Sequence, residues 1–161
     1  KVMTESTLVA KTLAWNRTTP RVQRRWLDRW KSKKEGIHIH CSDAAVQKEG
    51  PSAGTALTVT LYSLFNDTPI PNHIGVTGEI NLSGEVLKIG GLRDKLYGAK
   101  RAGCTLCLFP IDNLPDYELI VKKCPDLIVP GKFEAKPIAT LEQTFKIVFG
   151  LKEKTTRKRT H

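Results

Sequence analysis

The sequence predicts an α+β domain in which mixed strands are packed by helices, and three observations carry that prediction. Segments with apolar residues at helical spacing are interleaved with short β-branched runs of period two. Each junction carries a turn or stop signal of its own, such as "NDTPIPN", "NLSG", Gly90-Gly91 and Gly103. The 161 residues, 40% of them hydrophobic and 26% charged, suffice for one domain with a real core and no staples.

Taken in order, residues 2–16 keep a helical spacing of apolar positions, and Thr19-Pro20 opens a second helix with Val22, Trp26, Leu27 and Trp30 on one stripe. "GIHIHC" reads as a short strand with His38 and His40 on one face. An apolar helix is expected from Pro51 to about Phe65, stopped by the two prolines of the following turn. "IGVTGEI" reads as a strand, "NLSG" as a turn and "EVLKI" as the returning strand of a hairpin. After Gly90-Gly91 a helix runs from about Leu92 to Ala102 and stops at Gly103, and "CTLCLF" supplies another strand. "PDYELIVKKC" is expected as a helix, "DLIV" as a short strand and "TLEQTFKIVF" as a closing helix, with Thr140 and Gln143 spaced for a capping box.

The net charge of +10 is uneven: residues 1–36 hold ten Lys/Arg against three acids, residues 151–161 hold five against one, and the rest is nearly neutral. Basic ends of this kind can attract nucleic acid non-specifically, or can be solvated faces and a loose tail. The tail "KEKTTRKRTH" has too little apolar content to fold and reads as disordered. No apolar run approaches the roughly 20 residues of a membrane span, and no signal-peptide pattern opens the chain. The first residue is Lys1, not Met, so the chain reads as a fragment of a longer protein.

Cys104 and Cys107 form C-x-x-C, but a zinc site would need a second matching pair, and His38 and His40 lack a third ligand at sensible spacing. The cysteines read as small buried hydrophobes of a reducing, intracellular compartment, with no metal and no cofactor held by this chain.

Ser52, in "QKEGPSAGTALTV", admits two readings. It is a helix cap, or a nucleophile at the positive end of a helix, where its own amide and those of Glu49-Gly50 face an oxyanion. The stretch also fits G-x-S-x-G, the elbow of α/β-hydrolases, but the preceding "DAAVQKEG" is no buried strand and the downstream acid and His are poorly supplied. Lys95 falls at i+3 between Leu92, Leu96 and Ala99 of the predicted helix, inside the apolar stripe. A buried lysine loses preference for the ammonium form and can serve as the base of a Ser-Lys pair, whereas a snorkelling lysine stays charged.

"GPSAG", followed by "GVTGEINLSGEVLKIGGLRDKLYGAKRAG", strongly resembles the proteolytic domain of the ATP-dependent Lon protease family. Ser52 and Lys95 stand 43 positions apart, the spacing of the family's catalytic pair, and "VMTES" and "IHIH" extend the similarity over most of residues 2–150. The resemblance implies the Lon proteolytic-domain fold over residues 1–150, with the family's opening strands missing, and a tail at 151–161. It implies a serine endopeptidase in which Ser52 attacks and Lys95 is general base and then general acid. Thr77 would hold the lysine amine, with Glu79, Glu49 and Gly50 in support. Glu49 replaces the family's usual aspartate, and "NRTTPRVQRRWLDRWKSKKEG" is more basic and Trp-rich than the family pattern. No G-x-x-x-x-G-K-[ST] loop is present, so ATP and Mg²⁺ would belong to an upstream ATPase domain, in a homohexamer that degrades unfolded or damaged proteins. Two other readings stay open: an ATP-independent Ser-Lys protease such as a viral polyprotein processor, or an idle basic module that binds nucleic acid.

Overall fold

A computed structural model describes residues 2–33, 36–40 and 51–151. The expected tail at 151–161, apart from Leu151, and Glu49 and Gly50 lie outside these residues. Six α-helices, one 3-10 turn (Ile111–Asn113) and five short strands are present among them: α1 (Val2–Asn16), α2 (Pro20–Lys33), α3 (Gly54–Asn66), β1 (Ile74–Val76), β2 (Glu79–Ile80), β3 (Val86–Leu87), α4 (Leu92–Arg101), β4 (Leu106–Pro110), α5 (Leu114–Lys123), β5 (Glu134–Ile138) and α6 (Leu141–Phe149). The α+β class is as expected.

Three strands form a parallel sheet in the order β1-β4-β5, while β2 and β3 make a separate antiparallel hairpin. Side chains of β4 alternate between two cores, as strand geometry requires. Leu106 and Leu108 pack with Val59, Ile138, Leu141 and Phe145, under α3 and α6. Cys107 and Phe109 pack with Leu92, Leu96 and Ile120, under α4 and α5. Burying these side chains is the main favourable term that holds the layers together.

The N-terminal helices make a third cluster. Ala10 and Ala14 give α1 a small-residue face against Leu61 and Phe65 of α3. Trp15 stacks on Trp30 at 5.3 Å, and the Trp26 indole donates to the Phe65 carbonyl at 2.9 Å. The Trp-rich segment thus serves this domain's own packing, and its arginines Arg21, Arg24, Arg25 and Arg29 stay exposed. Leu27, expected on the stripe, is 43% exposed, because Val22, Trp26 and Trp30 at steps of four take the inward face.

Several boundaries differ from the sequence reading. Among the described residues, 36–40 pair with no strand: Ile37 and Ile39 pack on the tryptophan cluster and His38 and His40 stack outward at 6.3 Å. The alternation survives without a ladder. "IGVTGEI" is not one strand but two, broken at Thr77-Gly78, where Thr77 N–H turns to the Leu108 carbonyl and Gly78 N–H to the Ser52 carbonyl. "DLIV" contributes a single bridge, Val129 to Phe133, and β5 takes its place at the sheet edge. A strand carrying Pro137 and the exposed Glu134 and Lys136 is tolerated there because an edge needs only one ladder side. The closing helix keeps its expected start: the Gln143 N–H donates to Thr140 Oγ1 at 3.2 Å. The return bond lands one residue early, from Ala139 N–H to Gln143 Oε1 at 2.8 Å.

Candidate active site

The helix expected from Pro51 begins at Gly54, and Pro51–Ala53 form the turn that leads into it. The N-cap residue is Ala53, with no side-chain cap bond, and Ser52 Oγ has no hydrogen-bond partner among the described residues. Ser52 is therefore not a helix cap. Its main chain, by contrast, is tied down: the Ser52 carbonyl accepts from Gly78 N–H at 2.9 Å and from Thr77 Oγ1 at 3.4 Å. Thr55 donates both its N–H and its hydroxyl to the Gly78 carbonyl at 3.0 Å. These bonds knit the turn to the end of β1.

Gly78 makes this approach feasible. A Cβ there would meet Val86 Cγ1 at 2.5 Å and Thr55 Oγ1 at 2.8 Å, so only glycine fits without displacement.

Lys95 comes from the other side of the sheet. Gly91, at φ +65, turns the chain into α4, and Asn113 braces the loop before it by donating to the Ile89 carbonyl at 2.8 Å and accepting from Ile89 N–H at 3.0 Å. Leu92 and Leu96 then bury one stripe of α4, with Ala99 half-buried beside it. Lys95, on the same stripe, is half-buried. Its amine has no hydrogen bond and no ion pair among the described residues.

Ser52 and Lys95 line one cavity of about 360 Å³, together with Ala53, Ala56, Gly75 and Thr77 and, on the far wall, Gly98, Ala99, Cys104 and Cys107. The sequence separates the two residues by 43 positions; the fold brings them to one wall-to-wall space. Thr77 shares the cavity, but its hydroxyl donates to the Ser52 carbonyl instead of meeting the lysine. Glu79 sits half-buried on β2, paired in register with Leu87, and is not among the cavity's lining residues.

Sequence reasoning missed Gly78, Asn113 and the far wall of the cavity. Gly78 was visible only as part of a presumed strand, and Asn113 carried no motif. Among the described residues no group of His, Cys, Asp and Glu could hold a metal ion, and no helix is long and apolar enough to cross a membrane.

A family model described as "Lon protease (S16) C-terminal proteolytic domain" matches residues 1–150. Fold and match together define a proteolytic domain of the serine-protease class. The mitochondrial Lon protease homolog of Neurospora crassa is 44% identical over 116 residues, 72% of this chain and 10% of that protein. The Lon protease of Protochlamydia amoebophila is 42% identical over 117 residues, 73% and 13%. The mitochondrial homolog of Schizosaccharomyces pombe is 42% identical over 113 residues, 70% and 10%. The chain belongs to the Lon protease family, and it spans about a tenth of the length of these relatives.

Proposed function

We propose that Ser52 and Lys95 form the catalytic dyad of an endopeptidase. The observation that supports this most is the shared cavity, which holds a hydroxyl and an amine that both lack other partners among the described residues. In this reading the Lys95 amine takes the Ser52 proton as Oγ attacks the scissile carbonyl, then returns it to the leaving amine. Thr77 acts as a positioning residue: its hydroxyl donates to the Ser52 carbonyl and keeps lone pairs to accept from the lysine amine. The N–H groups of Gly54 and Thr55 are already bonded to the Pro51 and Gly78 carbonyls. Oxyanion donors in this mechanism are therefore the amides of Ser52 and Ala53, with Glu49 and Gly50 in support. Glu79, set back from the cavity, acts at most through the hairpin.

For the whole protein we infer an ATP-dependent protease that degrades unfolded or damaged proteins as a homohexamer, with ATP and Mg²⁺ at an upstream ATPase domain. The short share of the relatives' length leaves room for such a domain, and relatives named as mitochondrial fit an intracellular, reducing compartment. The exposed arginines of α2 could add a salt-sensitive, non-specific hold on nucleic acid.

The test is cleavage of a denatured protein by the full-length gene product with ATP. Ser52→Ala and Lys95→Ala are each expected to lower the rate about a thousandfold or more. Both should leave the unfolding free energy within about 0.5 kcal/mol. Lys95→Arg should be equally inactive, since a guanidinium does not give up its proton near neutrality. Substantial activity in Lys95→Ala at neutral pH would remove the dyad.

A further inference from the structure

One buried polar side chain holds the loop that leads into α4, and it does so at the expense of its own helix. Asn113 closes the 3-10 turn that follows β4 and is fully buried. It is also the N-cap residue of α5, yet it makes no capping bond. Asparagine at an N-cap ordinarily accepts from an amide of the helix it begins. Here Oδ1 accepts from Ile89 N–H at 3.0 Å, while Nδ2 donates to the Ile89 carbonyl and to Asp116 Oδ2, each at 2.8 Å. Both amide hydrogens are thus used, and the side chain grips both main-chain groups of one residue, as a strand neighbour would. Asp116 in turn lies 3.7 Å from the amine of Lys88, the residue before Ile89.

Beyond that grip the chain is loose by composition. Gly90 and Gly91 follow Ile89, and a Cβ on either would meet nothing within 4 Å, so no side-chain packing fixes them. The Lys95 N–H then closes the first turn of α4 on the Gly91 carbonyl at 3.2 Å. Leu92 and Leu96 keep this helix down on the core, but apolar packing has no direction, whereas the amide grip on Ile89 does. The serine wall refers to the same strand that Asn113 follows. Thr77 N–H bonds the Leu108 carbonyl of β4 at 3.0 Å, and its hydroxyl donates to the Ser52 carbonyl at 3.4 Å. Both walls of the cavity are therefore hung on β4, one through Leu108 and the other through Asn113.

We propose that Asn113 is a positioning residue for the peptidase reaction: its amide fixes where α4 starts against β4, and so the bearing of the Lys95 amine on Ser52. The proposal rests on the dyad reading above. Asn113 does not line the cavity and acts through the loop alone. Without its grip the two glycines let the first turn of α4 drift, and a displacement of about 1 Å between reacting groups costs about a hundredfold in rate.

The experiment uses the full-length gene product and two readouts: ATP-driven cleavage of a denatured protein, and the rate at which phenylmethanesulfonyl fluoride labels Ser52, followed by peptide mass spectrometry. In the labelling reaction Ser52 Oγ displaces fluoride from sulfur, so the rate reports the dyad with no protein substrate bound. Asn113→Leu keeps the branched shape and removes every hydrogen-bonding group; Asn113→Ser, the milder change, keeps a hydroxyl too short to span both groups of Ile89. In folded protein both should lose about tenfold or more in labelling rate and in kcat, with KM within about twofold. Leu127→Ala opens the same core at the other end of α4, where Lys100 donates to the Leu127 carbonyl at 3.0 Å, and should lower stability while labelling stays within about twofold. Gly90→Ala, whose methyl meets open space, should recover part of the loss in Asn113→Ser by restricting the freed loop. Labelling at the natural rate in folded Asn113→Ser would overturn the proposal. So would an equal loss in Leu127→Ala at matched stability, or no recovery with Gly90→Ala. Failure of the dyad itself would appear separately, as cleavage by Ser52→Ala.

Discussion

Ser52 and Lys95 reach one cavity from opposite faces of the three-stranded sheet, and the chain secures them by different means. On the serine side the restraint is backbone. The Ser52 carbonyl takes a bond from Gly78 N–H, the Gly78 carbonyl takes two from Thr55, and a bare Cα permits the approach. On the lysine side it is side-chain packing. Lys95 is held by its own helix, whose place depends on Leu92 and Leu96 sunk into the core under β4. A main-chain tether tolerates changes in neighbouring side chains but not a new atom at the crossing point, whereas a packed stripe tolerates new atoms on its outer face but not the loss of a buried one.

The lysine side carries the largest expected effect. Leu96 is 0% exposed and directly follows Lys95 on the buried face of α4. Leu96→Ala should destabilise the domain by about 2–5 kcal/mol in urea unfolding. In the protein that remains folded, kcat should fall with little change in KM, as the amine loses its bearing on Ser52. An intact kcat in that folded fraction would mean that α4 is positioned by something other than its leucines.

The serine side is tested by Gly78→Ala, where the added methyl would sit 2.5 Å from Val86 Cγ1 and 2.8 Å from Thr55 Oγ1. Relief requires that side chains of the hairpin and α3 shift, at about 1–3 kcal/mol. The expected loss of kcat exceeds that of Leu96→Ala for each kcal/mol of stability lost, because the displaced group is the tether of Ser52 itself. Equal losses per kcal/mol would erase the distinction between the two restraints.

How far each side could be read from the sequence follows the same division. The lysine side was legible: Leu92, Lys95, Leu96 and Ala99 keep a period that only a helix satisfies, and Gly91 and Gly103, both at positive φ, mark its ends. The serine side was legible as a motif but not as geometry. A first-turn position was expected for Ser52, yet the helix begins at Gly54, because Gly78 draws the Ser52 carbonyl toward β1 and Pro51–Ala53 close a separate turn. That is a contact between residues 26 positions apart, and no local pattern encodes it. The strands fared worst for a related reason. "IGVTGEI" splits because two of its amides find partners outside any hairpin, and β5 went unseen because Pro137, Glu134 and Lys136 are poor strand formers that only an edge position excuses. Cys104 and Cys107 read from the sequence as two buried positions of one strand, but β4 begins at Leu106, so only Cys107 is in the strand and buried, and the glycine across the ladder lies in another segment.

The smallest expected effect sharpens the comparison by reversing a sign. Gly98 sits within α4, on the cavity side, and a Cβ there would meet nothing within 4 Å. Gly98→Ala should therefore stabilise the domain by about 0.5–1 kcal/mol, by removing unfolded-state freedom in a helix interior. For a chain of this size that corresponds to a rise in Tm of about 1–4 °C. The new methyl projects toward the space between α4 and Ser52, so KM for a denatured substrate should rise modestly while stability improves. In Leu96→Ala, by contrast, stability and turnover fall together. If Gly98→Ala raised Tm and left KM untouched, peptide would have to lie along the Ser52 wall alone, and the α4 wall would serve only to present the lysine.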